Sequence, residues 1–293
     1  FDADGGTAAA VVSAPDDGVD LYGLDADALT AGESVDRTRL TALNDDLLDR
    51  YEQPGCRKLT VESGDVPVDA WTFYPPEFDP DDPEPHPTVL AIHGGPAYYD
   101  QPWFQFTDAA FTTRGYVVCR VNYRGSTSYG REFSGALRGR WNSVEVDDLL
   151  AVTDELVDRG WADPDRLFPT GFSQGGINTA YLVTRTDRFA AAAAEHGIYD
   201  ARSAFGTDDS HVWWGQEFGL PWEDGDTYDA ISSLPDVGQV DTPTLLTAGA
   251  NDRRCPPEQA EQFYVSLRKQ GLASRLVIYD ENHNITTPDR AIH

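Results

Sequence analysis

Apolar and polar stretches alternate regularly from residue 88 onward, and this pattern predicts strands and helices in turn. Apolar runs predict strands at 88–93, 116–122, 166–170, 189–194, 243–248 and 275–280. Apolar residues at helical spacing predict helices near 103–113, 143–159, 175–186 and 257–270. Gly115, Gly160 and Gly271 lie where three helices need a left-handed terminating residue. Strands alternating with helices favour an α/β fold with a mostly parallel sheet and helices on both faces.

The first 50 residues follow a different pattern. Short apolar runs separated by turn residues predict two or three antiparallel strands, followed by a helical turn at 43–51. Such strands alone do not form a stable domain, so we expect them to be the end of a larger one. A predicted hairpin, 59–62 with 68–74, then opens the main domain. The domain prediction is therefore a remnant and linker at 1–52 and a main domain at 53–293.

Charge excludes two classes of partner. The 293 residues include 50 acidic and 22 basic side chains, which gives a net charge of −28. Nucleic acid and anionic membranes would be repelled, so we expect neither as a partner. The acidic residues are scattered along the chain, which favours adaptation to high salt over a disordered acidic tail. An ordinary acidic protein is the alternative.

Cysteines and apolar stretches suggest a protein without disulfides or cofactors. Cys56, Cys119 and Cys255 are far apart and form no C-x-x-C pair, so neither a disulfide framework nor a zinc site is predicted. No metal or other cofactor is expected. No stretch is long enough to span a membrane, and we expect a cytoplasmic location. Because the chain starts at Phe1 and has no Met, we expect the native start to lie upstream.

The segment Gly171-Phe172-Ser173-Gln174-Gly175-Gly176 lies between a predicted strand and a predicted helix. In that context G-x-S-x-G is typical of a nucleophile elbow, a sharp turn that presents the serine hydroxyl. Small residues are required because the turn is strained and packs against neighbouring backbone. An ordinary Ser/Gly turn is the alternative explanation.

A serine nucleophile needs a general base and a carboxylate that orients the base. On this type of fold they follow the serine in the order acid then histidine, each just after a strand. Asp252 follows the strand predicted at 243–248, and His283 follows the one at 275–280. Asp280 and Glu281 are competing acids, but they adjoin the histidine in sequence. We predict a triad of Ser173, Asp252 and His283.

The oxyanion formed during acyl transfer needs two preorganised donors. The backbone N–H of Gln174, directly after the serine, is one candidate. The other is Gly95 in the segment His93-Gly94-Gly95-Pro96, where glycine permits close approach of the backbone. A phosphate-binding loop is a weak alternative because no G-K-[ST] follows. A metal-ligand role for His93 is also weak, since no H-E-x-x-H or comparable cluster is present.

These motifs resemble the prolyl oligopeptidase family of serine peptidases, in particular its acylaminoacyl-peptidase and dipeptidyl-aminopeptidase-like branch. The resemblance covers about residues 53–293. The matching stretches are His93 to Pro96, Asn122 to Ser126 with Tyr129-Gly130, Gly171 to Gly176, Asn251 to Pro257 and Glu281 to His283.

The resemblance implies an α/β-hydrolase domain joined to an N-terminal β-propeller, with residues 1–52 as the last part of that propeller. It implies that Ser173 is the nucleophile, Asp252 the orienting acid and His283 the base. It also implies oxyanion donation by Gly95 and Gln174. Arg254 matches a position that binds a substrate backbone carbonyl, with a solvated loop arginine as the alternative. Tyr129, Phe133, Trp213 and Trp214 are candidates for pocket lining, and core packing is the alternative for each.

Two departures from the family lead us to expect a fragment of a larger enzyme. Most of the propeller is missing, and the chain stops ten residues after His283, where relatives continue into a final helix. The predicted function is hydrolysis of short peptides through an acyl-enzyme, with a free or an acylated substrate amino terminus left open. A carboxylesterase is the alternative enzyme, and an inactive fragment or interaction module is the alternative of another class. Homo-oligomers are compatible with the sequence.

Overall fold

The computed structural model describes residues 2–4, 6–14 and 18–287, which form two β-sheets and the helices around them. The strands are β1 (Asp2–Asp4), β2 (Thr7–Ala14), β3 (Gly18–Asp25), β4 (Arg37–Arg39), β5 (Gly55–Ser63), β6 (Val66–Tyr74), β7 (His86–Ile92), β8 (Val117–Asn122), β9 (Ala162–Phe172), β10 (Ala192–Glu195), β11 (Thr244–Gly249) and β12 (Ser274–Tyr279). The helices are α1 (Ala26–Ala31), α2 (Asp45–Leu48), α3 (Phe106–Thr112), α4 (Arg131–Ser134), α5 (Val144–Asp158), α6 (Gln174–Val183), α7 (Ala201–Ala204), α8 (His211–Phe218), α9 (Gly225–Ala230) and α10 (Pro257–Lys269). A 3-10 helix spans Leu234–Gln239.

The larger sheet has eight strands in the order β12-β11-β10-β9-β7-β8-β6-β5. The six strands from β12 to β8 are parallel, whereas β6 pairs antiparallel with both β8 and β5. Because parallel strands need crossover connections, helices lie between them in the chain. All six residues of β8 are buried, so both of its faces are covered. The expected mostly parallel sheet with helices is confirmed.

Helix α5 buries the apolar residues whose helical spacing predicted it. Leu149, Val152 and Leu156 recur at helical spacing, and each is 0% exposed. They pack in the main apolar cluster, which also contains residues of β5 and β9. The predicted left-handed helix ends are also present, since φ is +81° at Gly115, +71° at Gly160 and +81° at Gly271.

Some elements differ from their predicted bounds. β9 begins at Ala162 rather than 166, and β10 covers only Ala192–Glu195 rather than 189–194. α7, α8, α9 and the 3-10 helix were not predicted. They have 4 to 8 residues each, so each shows too few turns to reveal a period. α7, α8 and α9 bury apolar side chains in a second cluster around Trp214, Phe218 and Tyr228, whereas Leu234 and Val237 of the 3-10 helix pack against the main cluster.

The smaller sheet is a four-stranded antiparallel meander in the order β1-β2-β3-β4, rather than the two or three strands predicted. β2 and β3 pair over eight residues each, from Thr7 with Asp25 to Ala14 with Gly18. Arg39 forms ion pairs with Asp20 of β3 and Asp45 of α2. α2 lies inside the helical turn predicted at 43–51. Among the described residues, no helix is both long and apolar enough to cross a lipid bilayer.

Candidate active site

Ser173 lies on a sharp turn between the end of β9 and the start of α6. Its φ of +60° and ψ of −117° place a non-glycine residue in the positive-φ region. A Cβ at Gly171 would lie 2.5 Å from the carbonyl oxygen of Ile92. A Cβ at Gly175 would collide with the same oxygen, and one at Gly176 would collide with the carbonyl oxygen of Glu195. The glycines are therefore required by the packing of the turn against β7 and β10.

The structure brings the three residues of the predicted triad together. The Nε2 atom of His283 lies 3.0 Å from the Oγ atom of Ser173. The Nδ1 atom of His283 lies 2.7 Å from the Oδ2 atom of Asp252. Asp252 and His283 follow the adjacent parallel strands β11 and β12, whose carboxyl ends meet at one edge of the sheet. The distances are those of a hydrogen-bonded chain from hydroxyl to imidazole to carboxylate.

The two competing acids have other partners. Asp280 accepts a hydrogen bond from the side-chain amide of Asn251 at 3.2 Å. The carboxylate of Glu281 accepts from the backbone N–H of Thr287 at 3.2 Å. Asp252 is consequently the carboxylate that faces the imidazole.

The hydrogen bonds around Asp252 favour its ionised form. Burial acts to raise the pKa of Asp252, but hydrogen bonds from His196, His283 and the backbone of Cys255 hold it below its ordinary value. Its Oδ1 atom accepts the backbone N–H groups of Arg254 and Cys255, each at 2.8 Å. An ionised carboxylate only accepts hydrogen bonds, so the Nδ1 atom of His283 must donate. The Nε2 atom is then free to take the proton of Ser173.

Sequence reasoning missed His196, a second histidine at the same carboxylate. Its Nδ1 atom lies 3.3 Å from the Oδ2 atom of Asp252. The order of triad residues along the chain admits only a histidine after Asp252, whereas His196 directly follows β10. Its position at the carboxyl end of a strand beside β9 was the available signal.

The segment that carries Gly95 packs directly against Ser173. A Cβ at Gly94 would lie 2.8 Å from the carbonyl oxygen of Phe172 and 3.2 Å from the Cβ of Ser173. Among the described residues the N–H of Gly95 has no acceptor. Gln174 is the first residue of α6, where backbone N–H groups have no partner inside the helix. Oxyanion donation by Gly95 and Gln174 stays a prediction, and both residues lie in segments next to Ser173.

His93 orients the Gly94–Gly95 peptide. Burial lowers the pKa of His93 to about 4, against the smaller effect of its bond to Gly94, so the ring is neutral at pH 7. The Nδ1 atom donates to the carbonyl oxygen of Gly94 at 2.8 Å, and Nε2 lies 2.8 Å from the hydroxyl oxygen of Ser126. The carbonyl of Gly94 and the N–H of Gly95 belong to one trans peptide and point in opposite directions. Fixing the carbonyl therefore fixes the N–H.

A sequence model of the prolyl oligopeptidase family matches residues 102–293. This chain belongs to the prolyl oligopeptidase family. It is 33% identical over 285 residues to the uncharacterized peptidase YuxL of Bacillus subtilis (strain 168). The matched region covers 94% of this chain and 42% of YuxL. It is 30% identical over 266 residues to dipeptidyl-peptidase 5 of Porphyromonas gingivalis, covering 86% of this chain and 38% of that one.

A solved structure of an acylaminoacyl peptidase from Pyrococcus horikoshii superposes with a TM-score of 0.86 at 26% identity. The match covers 97% of this chain and 45% of that chain. The α/β-hydrolase fold implied by the motifs is confirmed. The chain spans less than half the length of these relatives.

Arg254, which the family resemblance assigns to substrate binding, and Tyr129, a candidate for pocket lining, lie in different surroundings. The backbone of Arg254 contacts Asp252, and its side chain is 55% exposed with Nε 2.6 Å from Asp209. The hydroxyl of Tyr129 accepts from the side-chain amide of Asn122 at 3.1 Å, and its ring packs on Phe133 with centroids 5.0 Å apart. Arg254 thus extends from the loop that carries the acid. Tyr129 contacts β8 through Asn122, α4 through Phe133, and β6 through a hydrogen bond with the side chain of Asp69.

The aromatic candidates for pocket lining also differ. Trp214 is 1% exposed and belongs to the second apolar cluster, where its indole N–H donates to Asp208. Trp213 is 40% exposed and packs beside Trp141, with ring centroids 5.4 Å apart. The core alternative therefore fits Trp214, whereas Trp213 presents part of its ring to solvent.

Among the described residues, His196, Asp252 and His283 form a group with metal-ligand chemistry, their ligand atoms lying within 4.8 Å of one another. Atoms bound to one zinc ion at about 2 Å would lie no more than about 4 Å apart. The Oδ2 atom of Asp252 already accepts from both histidines. The geometry is that of a hydrogen-bond network around one carboxylate.

Proposed function

We propose that this chain is the catalytic part of a serine peptidase that hydrolyses short peptides through an acyl-enzyme. The observation that carries the proposal is the continuous hydrogen-bonded chain from Ser173 through His283 to Asp252. Membership of a peptidase family supports the same reaction class. The proposal assigns the nucleophile to Ser173, the base to His283 and the orienting acid to Asp252.

In the proposed reaction, the Oγ atom of Ser173 attacks the scissile carbonyl while the Nε2 atom of His283 takes its proton. The backbone N–H groups of Gly95 and Gln174 stabilise the oxyanion. His283 then gives the proton to the leaving amine, which breaks the C–N bond and leaves an ester on Ser173. Water repeats the sequence and releases the acid. Asp252 stays ionised and stabilises the imidazolium that forms at each step.

The substrate class follows from relatives named as an acylaminoacyl peptidase and a dipeptidyl-peptidase. We assign Arg254 to a backbone carbonyl of the peptide, because its guanidinium is partly exposed and joined to the acid loop. Tyr129 is the second assigned binding residue. The relatives differ in whether the substrate amino terminus is blocked, so both forms belong in the assay.

A fluorophosphonate probe tests the nucleophile directly. We expect the intact protein in salt to form a covalent adduct and Ser173→Ala to form none. His283→Ala and Asp252→Asn should fold but lose turnover, Asp252→Asn by roughly 10⁴-fold because an amide favours the wrong imidazole tautomer. Equal labelling of Ser173→Ala, or unchanged turnover in either of the other variants, would contradict the assignment. Absence of any adduct with folded protein would identify an inactive module.

Substrate comparison separates a peptidase from an esterase of the same fold. Acyl-peptide, aminoacyl-anilide and simple ester substrates should be compared by kcat/KM on the same preparation, with Ser173→Ala as the blank. We expect Ser173-dependent cleavage of at least one of the two amide substrates. Turnover confined to the ester would replace the peptidase with a carboxylesterase.

We also assign residues 1–52 to a β-propeller that precedes the peptidase domain in a longer protein. Four antiparallel strands are the usual content of one propeller blade, and β1 to β4 have that arrangement. Relatives more than twice as long leave room for further blades. The coding sequence upstream of Phe1 tests this, since we expect repeats of about 40–50 residues there. An upstream sequence without such repeats would refute the assignment.

A further inference from the structure

His196 is a buried histidine that the reaction just described does not use. It is 1% exposed and follows β10, the strand beside the one that ends at the nucleophile. Resting on the proposed function, we infer that His196 is a positioning residue that holds the carboxylate of Asp252 in the orientation His283 needs. It acts by donating a second hydrogen bond to the oxygen that His283 uses.

The bonds of Asp252 assign the proton on His196. The carboxylate is ionised, so it can accept but not donate, and the Nδ1 atom of His196 must carry the hydrogen. Together with two backbone N–H groups and His283, this makes four donors on one carboxylate. Two donors on each oxygen fix both its position and its rotation. The Nε2 atom of His196 has no partner among the described residues, so the ring makes a single polar contact.

The backbone and the ring of His196 are both held in place. The φ of His196 is +48°, in the left-handed region that non-glycine residues rarely adopt. Its N–H donates to the carbonyl of Thr247 at 2.9 Å. Its ring lies 5.2 Å from that of Phe172, which in turn lies 4.8 Å from the ring of His283. His196 is thus a strained residue that contacts both Phe172, next to Ser173, and the carboxylate of Asp252. Strain that is kept at such a position points to a role in the site.

The shared oxygen gives His196 an effect on the acid–base behaviour of the site. A second donor spreads the negative charge of Asp252 and weakens its attraction for a protonated His283. Without that donor the carboxylate would turn more freely and would stabilise the imidazolium more. Loss of the His196 donor should therefore slow acylation. It should also move the acid limb of the kcat/KM profile, the fall in activity at low pH, to a higher pH. A variant that merely disturbed packing would slow the reaction without moving this limb.

Other titratable and charged groups near the pair are His283, Glu195, Cys255 and Arg254. Burial raises the pKa of Glu195, with smaller opposing effects from Thr170 and His196. Burial also raises the pKa of the Cys255 thiol well above its ordinary value. These groups are present in every variant compared below, so the pH profile must be read as a difference between variants.

The test compares His196→Phe with His196→Asn. Phenylalanine keeps an aromatic ring but cannot donate, whereas asparagine carries an N–H donor near the position of Nδ1 and tolerates positive φ. We expect His196→Phe to lower kcat about tenfold, as for a lost hydrogen bond to a charged group. Its acid limb should rise by roughly half a pH unit, and His196→Asn should restore both values toward wild type. His86→Phe, at the opposite end of the sheet, is the matched control.

Unchanged kcat and pH profile in a folded His196→Phe would overturn the inference, as would equal defects in the Phe and Asn variants. Proton NMR on histidine-labelled protein gives a second measurement that needs no turnover. We expect two low-field Nδ1 protons in the wild type, and in His196→Phe the loss of one with a shift of the other. A single such proton in the wild type would also overturn it. If Ser173-dependent turnover were absent, the proposed function would fail while this spectrum still decided the role of His196.

Discussion

Individual contacts of Ser173 explain why its turn needs the residues found there. The serine takes a φ of +60°, and the helix that follows begins within contact distance of β7 and β10. Side chains at the flanking glycines would meet backbone carbonyl groups, which cannot rotate away as the end of a flexible side chain can. The spacing of glycine around the serine is thus a steric requirement of the elbow.

Gly175→Ala tests this requirement. Alanine inside a helix is normally favoured over glycine by about 1 kcal/mol, but here its Cβ would overlap the carbonyl oxygen of Ile92. We expect a loss of about 3 kcal/mol or more in the free energy of unfolding, at the upper end for overpacking. Gly238→Ala is the matched control, because a Cβ there has no heavy atom within 4 Å. Denaturant unfolding of both variants measures the difference, and equal stabilities would count against the steric argument.

At the level of elements, the segment between β7 and α3, which carries Gly95, is held against β8. Asp100 anchors it through its backbone, whose N–H donates to the side chain of Asn122 at 2.7 Å and whose carbonyl accepts from it at 2.9 Å. The side chain of Asp100 lies 3.8 Å from Arg120, which also pairs with Asp108 at 2.5 Å. One buried guanidinium therefore faces two buried carboxyl groups. The segment that carries Gly95 is therefore joined to β8 by a cluster of buried charged groups.

Burial raises the pKa of Asp100 from 3.8 to about 6, while Arg120 lowers it and Asp108 adds to the increase. Between these pH values the folded protein keeps a proton that the unfolded chain releases. The contribution of Asp100 to stability is therefore full below pH 3.8 and is lost as the pH rises through about 6. Asp100→Asn has no such proton, so its stability relative to wild type should increase between pH 4 and 7, by up to about 3 kcal/mol.

Urea unfolding of wild type and Asp100→Asn across this pH range measures the effect. Asp154→Asn is the control for net charge, because that side chain is 62% exposed. A stability difference between wild type and Asp100→Asn that stayed constant with pH would contradict the assignment.

Across the whole molecule, charge is the dominant feature. A net charge of −28 on 293 residues means that carboxylates repel one another over most of the surface. Arginines are distributed among these acids in exposed pairs such as Arg188 with Asp154 and Arg202 with Asp229. Exposed pairs of this kind contribute little each, so they do not cancel the general repulsion.

We therefore expect the protein to be more stable in high salt. Raising ionic strength from 0.1 M to 1 M shortens the screening length from about 10 Å to about 3 Å, which weakens repulsion between surface carboxylates. The melting temperature should rise by several degrees over that range. Thermal unfolding in sodium chloride measures this. A matched series in sucrose is the control, because sucrose is excluded from the protein surface but does not screen charge. A melting temperature that did not respond to salt would refute the expectation.

The placement of Ser173, Asp252 and His283 could be predicted because each follows a strand of a parallel sheet. Carboxyl ends of such strands meet at one edge, so order along the chain translates into proximity. His196 also follows a strand of the parallel sheet. The order of triad residues along the chain does not include a histidine at that position, so the sequence did not single it out. The sequence did not predict α7, α8 and α9, because their boundaries depend on how Trp214, Phe218 and Tyr228 pack together.

Local regularities in the sequence were enough to establish the α/β class, most strands and long helices, and the residue types of the elbow. They suffice because period, turn chemistry and glycine sterics act over a few neighbouring residues. Tertiary structure alone decided which acid faces His283, that His196 shares that carboxylate, and that His93 orients the Gly94–Gly95 peptide. The two contacts of Asp252 join segments far apart in the chain, and the ring of His93 is placed by the distant Tyr123 and Ser126. The energies of these contacts depend on burial and direction that exist only after the sheet has assembled.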